Sequence, residues 1–261
     1  LGSYKHENHY GVPWSWAWST PFQWMKRVAS HYGGTKNSVI ISYPNQITEP
    51  GSVREQFHHV IDIAPTIYEV ANIPEPTEVL GAPQIPIAGV SMAYTFNDKD
   101  AADRKTTQYF EVEGRRAIYH EGWMAAAMHS VPWELINATG EFERDKWELY
   151  NVANNYSQYR DLAEVNPEKL EELKTIFDEQ AKKYNVYPLD DRWAQRANNP
   201  ERPSVNSKVY KYHFTADTRR LTEGSAPSVF QTSHVITAEI DVPEEGGNGV
   251  IVAMGGRTAG Y

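Results

Sequence analysis

The residues whose types are best suited to chemistry lie near the start of the chain. His6, His9, Lys26, Arg27 and His31 fall in a segment dense in rings, with Tyr10, Trp14, Trp16, Trp18, Phe22 and Trp24. Cations set among rings, on a loop and short helix that enter a strand, suit an anionic group such as sulfate or phosphate. The competing reading of the same composition is a packed aromatic core. His58-His59 could be taken for a metal pair, but adjacent residues on a helix point about 100° apart and converge poorly on one ion. One packed and one exposed histidine is expected there. Asp190-Asp191 and Glu244-Glu245 lie in polar stretches and read as solvated turns. Asn137-Ala138-Thr139 and Asn155-Tyr156-Ser157 fit glycosylation sequons, which matter only in a eukaryotic secretory setting.

Several chemistries are excluded at once. The sequence has no phosphate-cradling glycine loop of the Walker or Rossmann pattern, no Gly-x-Ser-x-Gly elbow and no HExxH pair. With no cysteine among 261 residues there are no disulfides, thiolate metal sites or cysteine nucleophiles. The 34 acidic against 25 basic residues give a net charge of −9, which opposes a nucleic-acid binder. No apolar run reaches the roughly 18 residues of a membrane span. Eight Trp, 16 Tyr and 8 Phe supply enough large apolar side chains for a core. From the way it begins at Leu1 and ends at Tyr261, the chain reads as a piece of a longer polypeptide.

The elements that must position these residues follow from periodicity and punctuation. Residues 1–25 show no clean period and read as a packed irregular loop. Pro21 opens a short helical reading through Ser30, which Gly33-Gly34 ends. Ser38–Ser42 is a β-branched run expected as a buried strand. Val60, Ile63, Ala64, Ile67 and Val70 share one helical stripe, with the regular helix starting near Pro65. Residues 74–98 are a proline-rich connector. Thr107–Val112, Ala117–His120 and Trp123–His129 are short strands separated by the hairpin signals Glu113-Gly114 and Glu121-Gly122. Trp147–Tyr150 adds a fourth strand. Asn166-Pro167 opens a helix whose stripe is Leu170, Leu173, Phe177, Ala181 and Tyr184, expected to lie on the sheet. Residues 188–207 are a linker. Lys208–Phe214, Val235–Val242 and Gly249–Met254 are expected strands of a β module.

The run from Thr20 through Lys26, Gly33-Gly34 and Asn37, followed by the strand and Tyr43-Pro44, resembles the late part of the catalytic domain of type I sulfatases, notably the larger bacterial arylsulfatases. Gln56 to Ile67, with Asp62, Pro65 and Thr66, resembles the helix that follows in that family. Gly89-Val90-Ser91 resembles its Gly-x-Ser turn. Arg115 to Tyr119, Gly122-Trp123, Trp147 to Asn151 and Asp161 to Ala163 resemble its C-terminal subdomain. The likeness spans about residues 5 to 190, with its motifs in the family's order.

The resemblance implies an α/β fold. Residues 1–100 would end a sulfatase-like mixed sheet with helices. Residues 101–205 would form a small antiparallel α+β C-terminal subdomain. Residues 206–261 would start a β-sandwich-like tail. It implies a sulfuric ester hydrolase of the alkaline phosphatase superfamily, acting on a small-molecule sulfate ester with formylglycine and calcium or another divalent metal. The formylglycine and metal motifs are not in this sequence. They are expected in an upstream part of the same polypeptide, and the chain alone is expected to be inactive. One catalytic position carries over: Lys26 matches the family's sulfate-contacting lysine. Six residues lie between Lys26 and Gly33, one more than the family pattern, and Arg27 fits the shorter spacing with the wrong side chain. His9 is the candidate for the substrate entrance. Two alternatives stay open: a phosphonate or phosphodiester hydrolase of the same superfamily, and a non-catalytic binding fragment.

Overall fold

The computed structural model describes residues 11–134, 138–197, 199, 201, 210–215, 218, 221, 226, 227, 229 and 233–255. The chain divides into two compact units, Leu1–Ala197 and Asn198–Tyr261.

The first unit is built around four antiparallel strands in simple meander order: β3 (Thr107–Val112), β4 (Arg115–His120), β5 (Trp123–Ala127) and β6 (Trp147–Asn151). Two shorter strands precede them, β1 (Glu78–Val79) and β2 (Ala82–Pro83), which form a hairpin in the connector. The expected hairpins are present. Glu113-Gly114 and Glu121-Gly122 each have two successive positive φ angles, 55° and 85°, then 48° and 81°. That is the left-handed pair a two-residue turn needs to match strand twist. Register follows, with Tyr109 opposite Ile118, Ile118 opposite Ala125 and Ala125 opposite Leu149.

Both faces of this sheet are covered. On one, Ile118, Ala125 and Leu149 meet Leu173, Phe177 and Ala181 of the helix Pro167–Lys183, which is the helix and packing face expected from the sequence. On the other, Ala117, Tyr119, Met124, Ala126 and Tyr150 meet Tyr32, Phe22 and Phe57. Two-sided burial explains why Trp123–Ala127 reads as an unbroken apolar run rather than an alternating one.

The segment before the sheet departs from expectation in three places. The ring-rich stretch includes a helix, α1 (Val12–Ser19), with Pro13 in its first turn. Its Trp residues at every second position make no helical stripe, so periodicity could not reveal it. Residues 21–30 are not a helix. They form successive turns with Trp24 and Arg27 at φ 65° and 80°, leading into the single turn α2 (Tyr32–Thr35). Gly33-Gly34 therefore sit inside a helical turn rather than ending one. Ser38–Ser42 forms no strand, and Ile40 is 94% exposed. A strand needs ladder partners, and none of the described residues pairs with it.

Asp62 joins the next elements. It ends a 3₁₀ turn, Val60–Asp62, before α3 (Ile63–Val70). It accepts from the backbone N–H of His59 and of Val90, both at 2.8 Å, and pairs with the buried Lys105 at 3.1 Å. Thr66 receives the N–H of Met92 at 2.8 Å. A Cβ on Gly89 would lie 2.2 Å from the Ile61 carbonyl oxygen, so only glycine permits this closure. The Gly89-Val90-Ser91 turn and the Asp62–Thr66 stretch are thus two halves of one hydrogen-bonded lock. The remaining helices are α4 (Pro167–Lys183) and the short α5 (Trp193–Ala197).

In the second unit the described residues include no helix and no multi-residue strand. The expected strands at 235–242 and 249–254 are extended chain without ladders, and Val235, Ile240, Val242 and Val250 are exposed. Lys208 and Val209 lie outside the described residues. No helix among the described residues is long and apolar enough to cross a membrane.

Two outcomes test this architecture. Phe177 is buried against Trp147 at 5.7 Å between ring centroids, so Phe177→Ala should cost roughly 3–5 kcal/mol in chemical denaturation. Burial alone would raise the Asp62 carboxyl, but the hydrogen bonds and ion pair it receives hold it at about 2, below its ordinary 3.8. A depressed carboxyl contributes stability above its unfolded value and loses it as pH falls through the folded one. Between pH 4 and 2 the wild-type denaturation midpoint should therefore drop more steeply than that of Asp62→Asn, which should already be less stable at pH 7. Parallel acid limbs would show that Asp62 is not the lock.

Candidate functional site

The candidate site is the turn at residues 20–31. Its shape is set from below by Gly33-Gly34. The Gly33 N–H donates to the Gln23 carbonyl at 3.0 Å. A Cβ on Gly33 would stand 2.1 Å from that oxygen, and one on Gly34 would stand 2.1 Å from the Val28 oxygen. The turn rests directly on the glycine backbone, and side chains there would lift it off.

Side chains fasten the turn to the sheet. Met25, Val28, Ala29, Ser30, His31 and Tyr32 are buried. His31 places Nε2 3.2 Å from Glu148 on β6, and its Nδ1 faces the Ser30 hydroxyl at 2.9 Å. The His31 imidazole beside Glu148, joined by the Tyr150 hydroxyl at 3.1 Å, holds that carboxyl below the usual range against the opposing effect of burial. The Tyr32 N–H donates to the Gln158 side-chain oxygen at 2.7 Å, and the Gln23 amide donates to the Gln158 carbonyl.

The adjacent cations are separated by this geometry. Arg27 donates to both Glu113 oxygens, at 2.7 and 2.5 Å, and to the Pro132 carbonyl at 3.1 Å. Its guanidinium also lies 5.8 Å from the Trp193 ring centre. Arg115 holds Glu113 from the other side at 2.8 Å. Burial pushes the Glu113 carboxyl up, and the two arginines outweigh it and hold it low. Lys26 is exposed and has no hydrogen bond or ion pair among the described residues. The two do not share a helical turn, so an angular offset on a helix is not what distinguishes them. Arg27 is committed to the sheet, and Lys26 is left facing outward.

The other candidates sort differently. His6 and His9 lie outside the described residues. His58 and His59 are both half-buried, rather than one packed and one exposed, and both address Asp62 through the ring or the backbone. Among the described residues no cluster of three or more His, Cys, Asp or Glu side chains could hold a metal ion. A cleft of about 440 Å³ is lined by Arg27, His59, Lys105, Gln108 and Tyr109 among others. Its two fixed cations are already paired, with Glu113 and Asp62, so it offers little to an anion.

Sequence reasoning missed one polar cluster. The nearly buried His129 lies 2.9 Å from Asp145 and 3.1 Å from Asp191, and Asp145 also takes Arg116 at 2.6 Å. Asp191 accepts the Thr139 N–H at 2.7 Å, so it is a structural anchor rather than a solvated turn. Its partners lie far off in sequence, and no local pattern announces them. The Asn155 sequon is likewise structural, because Asn155 is buried and donates to the Arg160 carbonyl at 3.0 Å. Asn137 lies outside the described residues.

A family described as N-sulphoglucosamine sulphohydrolase, C-terminal, matches residues 22–186. An uncharacterised sulfatase of Schizosaccharomyces pombe is 30% identical over 175 residues, covering 66% of this chain and 29% of its own length. An arylsulfatase of Klebsiella aerogenes is 32% identical over 84 residues, 32% of this chain and 18% of its own. A protein solved with its substrate D-glucosamine-2-N,6-O-disulfate aligns at TM-score 0.42 and 19% identity, covering 59% of this chain and 29% of its own. The chain thus spans less than a third of the length of these relatives.

The seating of the turn is testable in the full-length protein. Gly34→Ala should cost about 1–3 kcal/mol or more, because the Val28 carbonyl must move to admit the new carbon. Arg27→Ala should cost about 1–3 kcal/mol for its charge-assisted hydrogen bonds. An unchanged denaturation midpoint for Gly34→Ala would show that the turn does not rest on the glycine pair.

Proposed function

Because the chain belongs to the N-sulphoglucosamine sulphohydrolase C-terminal family, we propose that it is the C-terminal part of a sulfuric ester hydrolase and that Lys26 is the group with which it touches a small-molecule sulfate ester. The observation that carries this reading is the division of charge in the turn. Arg27 and His31 are tied to Glu113 and Glu148, while Lys26, on the same turn, has no hydrogen bond or ion pair among the described residues. A cation free of a competing partner is available to the charge that develops on the transferring group and the leaving oxygen. Its role is to neutralise that charge, and it neither attacks sulfur nor moves a proton.

Formylglycine and calcium or another divalent metal would supply the nucleophile and the sulfate anchor in the intact enzyme. The residues here do not fit either group. The sequence lacks the Cys/Ser-x-Pro-x-Arg motif, and no described cluster suits a metal. Both are assigned to another part of the same polypeptide. The exposed Val39-Ile40-Ile41 run supports that assignment. It is a strand sequence awaiting a sheet, and Ile63 and Ile67 on α3 leave further apolar surface uncovered nearby in sequence.

In the full-length protein, Lys26→Ala should lower kcat on an aryl sulfate by on the order of 100-fold or more, as for other single groups that stabilise transition-state charge. The purified 261-residue chain alone should hydrolyse no aryl sulfate above a buffer control. Retention of kcat within threefold in Lys26→Ala would overturn the assignment. A full-length protein that turns over phosphodiesters and not sulfate esters would overturn the reaction class.

A further inference from the structure

One residue far along the chain holds both ends of the turn at 20–31. Gln158 is fully buried and lies in the loop after β6. Its side-chain oxygen accepts the Tyr32 N–H at 2.7 Å, where the turn ends. Its backbone carbonyl accepts the side-chain amide of Gln23, near where the turn begins. The Gln23 carbonyl in turn receives the Gly33 N–H at 3.0 Å. These bonds close a ring through Gln23, Gly33, Tyr32 and Gln158, and Lys26 sits in the chain segment that the ring closes.

Gln158 is itself fixed in an uncommon conformation. It holds a backbone φ of 58°, which a residue with a long side chain adopts only where its surroundings enforce it. Its N–H donates to the Asn155 carbonyl at 3.0 Å. The buried Asn155 shapes the same loop, accepting the Tyr159 N–H at 3.0 Å and donating to the Arg160 carbonyl at 3.0 Å. The Gln158 amide nitrogen faces the Met124 sulfur at 3.5 Å. All four polar groups of Gln158 are thus used inside the protein, two of them on the turn. Glycine would take this φ without strain, but it would leave the buried Tyr32 N–H without its acceptor. Tyr156 of the same loop meets Phe22 edge-on at 5.8 Å between ring centroids, so the loop covers the start of the turn as well.

We infer that Gln158 is a positioning residue for Lys26: it sets the spacing of the two ends of the turn, and with it the backbone from which Lys26 reaches the sulfate ester. This rests on the sulfatase reading of Lys26 and adds to it a residue that touches neither the substrate nor the reacting atoms. Arg27 and His31 fasten the turn through single side chains to Glu113 and Glu148, whereas Gln158 alone joins its beginning to its end. A catalytic group displaced by about 1 Å can lose on the order of 100-fold in rate, so loosening this clamp should register in kcat.

The test uses the full-length protein with two variants. Gln158→Met is close to isosteric and removes the acceptor for the Tyr32 N–H. Gln23→Met removes only the donor to the Gln158 carbonyl, and Gln23 is half-buried, so this variant decides the matter if Gln158→Met fails to fold. Amide hydrogen exchange, followed by mass spectrometry, should rise about tenfold or more across residues 23–32, as for a hydrogen-bonded turn that opens locally, while α4 keeps its protection. On an aryl sulfate, kcat should fall about tenfold in either variant. In a Lys26→Ala background the same substitutions should cost less than about twofold more, because no ammonium is left to place. A clamp that served stability alone would cost the same factor in both backgrounds, and that result overturns the assignment. So does unchanged exchange, or unchanged kcat, in the variants that fold. If exchange rises but the wild-type protein hydrolyses no sulfate ester, the sulfatase reading fails and Gln158 stands as the clamp of the turn.

Discussion

Burial of the β3–β6 meander on both faces is the constraint on which the first unit depends. A four-stranded sheet of this size could leave one face in water. Here Ile118, Ala125 and Leu149 need α4, while Ala117, Tyr119, Met124, Ala126 and Tyr150 need a second cover. That cover is the irregular segment ahead of the sheet in sequence, whose Tyr32, Phe22 and Phe57 sit on the second face. The turn at 20–31 is ordered because it closes the hydrophobic core of a sheet formed about a hundred residues later. The stacking of Phe57 on Tyr119, with centroids 3.6 Å apart, extends the same cover toward the Asp62 lock.

This arrangement explains how two neighbouring cations come to do different work. Lys and Arg side chains of similar reach stand side by side at 26 and 27. A guanidinium carries several donors in one plane: Arg27 Nη2 is shared between both oxygens of Glu113 at the tip of the β3–β4 hairpin, while Nη1 donates to the Pro132 carbonyl. An ammonium in that place would make a weaker, less directional contact. The chain turns at a positive φ at Arg27, whose side chain goes to Glu113, while Lys26 is exposed. Of the two cations that the sulfatase spacing leaves open, only Lys26 is without a hydrogen bond or ion pair among the described residues.

How far the fold was legible follows from where its determinants lie along the chain. The hairpins were plain because Glu-Gly pairs demand a left-handed turn, and α4 was plain because its stripe and first-turn proline are local. The same local logic misled at 21–30. Pro21 and the residues after it have helical propensity, but the pair Gly33-Gly34 draws the backbone into turns that no propensity encodes. At 38–42 the sequence specifies a strand, and a strand exists only when something pairs with it. The candidate site was half legible for similar reasons. Residue type and family pattern made Lys26 the candidate, whereas the partners that fasten Arg27, His31 and Tyr32 around it, Glu113, Glu148 and Gln158, are distant in sequence.

The motif residues shared with sulfatases divide into two kinds once their contacts are known. Asp62, Thr66, Gly89, Gly33, Gly34 and Arg115 all have their polar groups or missing Cβ atoms explained by neighbours within this chain. They hold elements together, and nothing in their surroundings calls for a ligand. Lys26 is different, because no contact within the described residues accounts for a lysine there. On the proposed reading, a substitution at a residue of the first kind would act through the shape of the fold, and a substitution at Lys26 would act with that shape intact. The pattern of sequence similarity does not distinguish these roles. The contacts do: among the described residues Lys26 makes no hydrogen bond or ion pair, whereas the other residues named are accounted for by their neighbours.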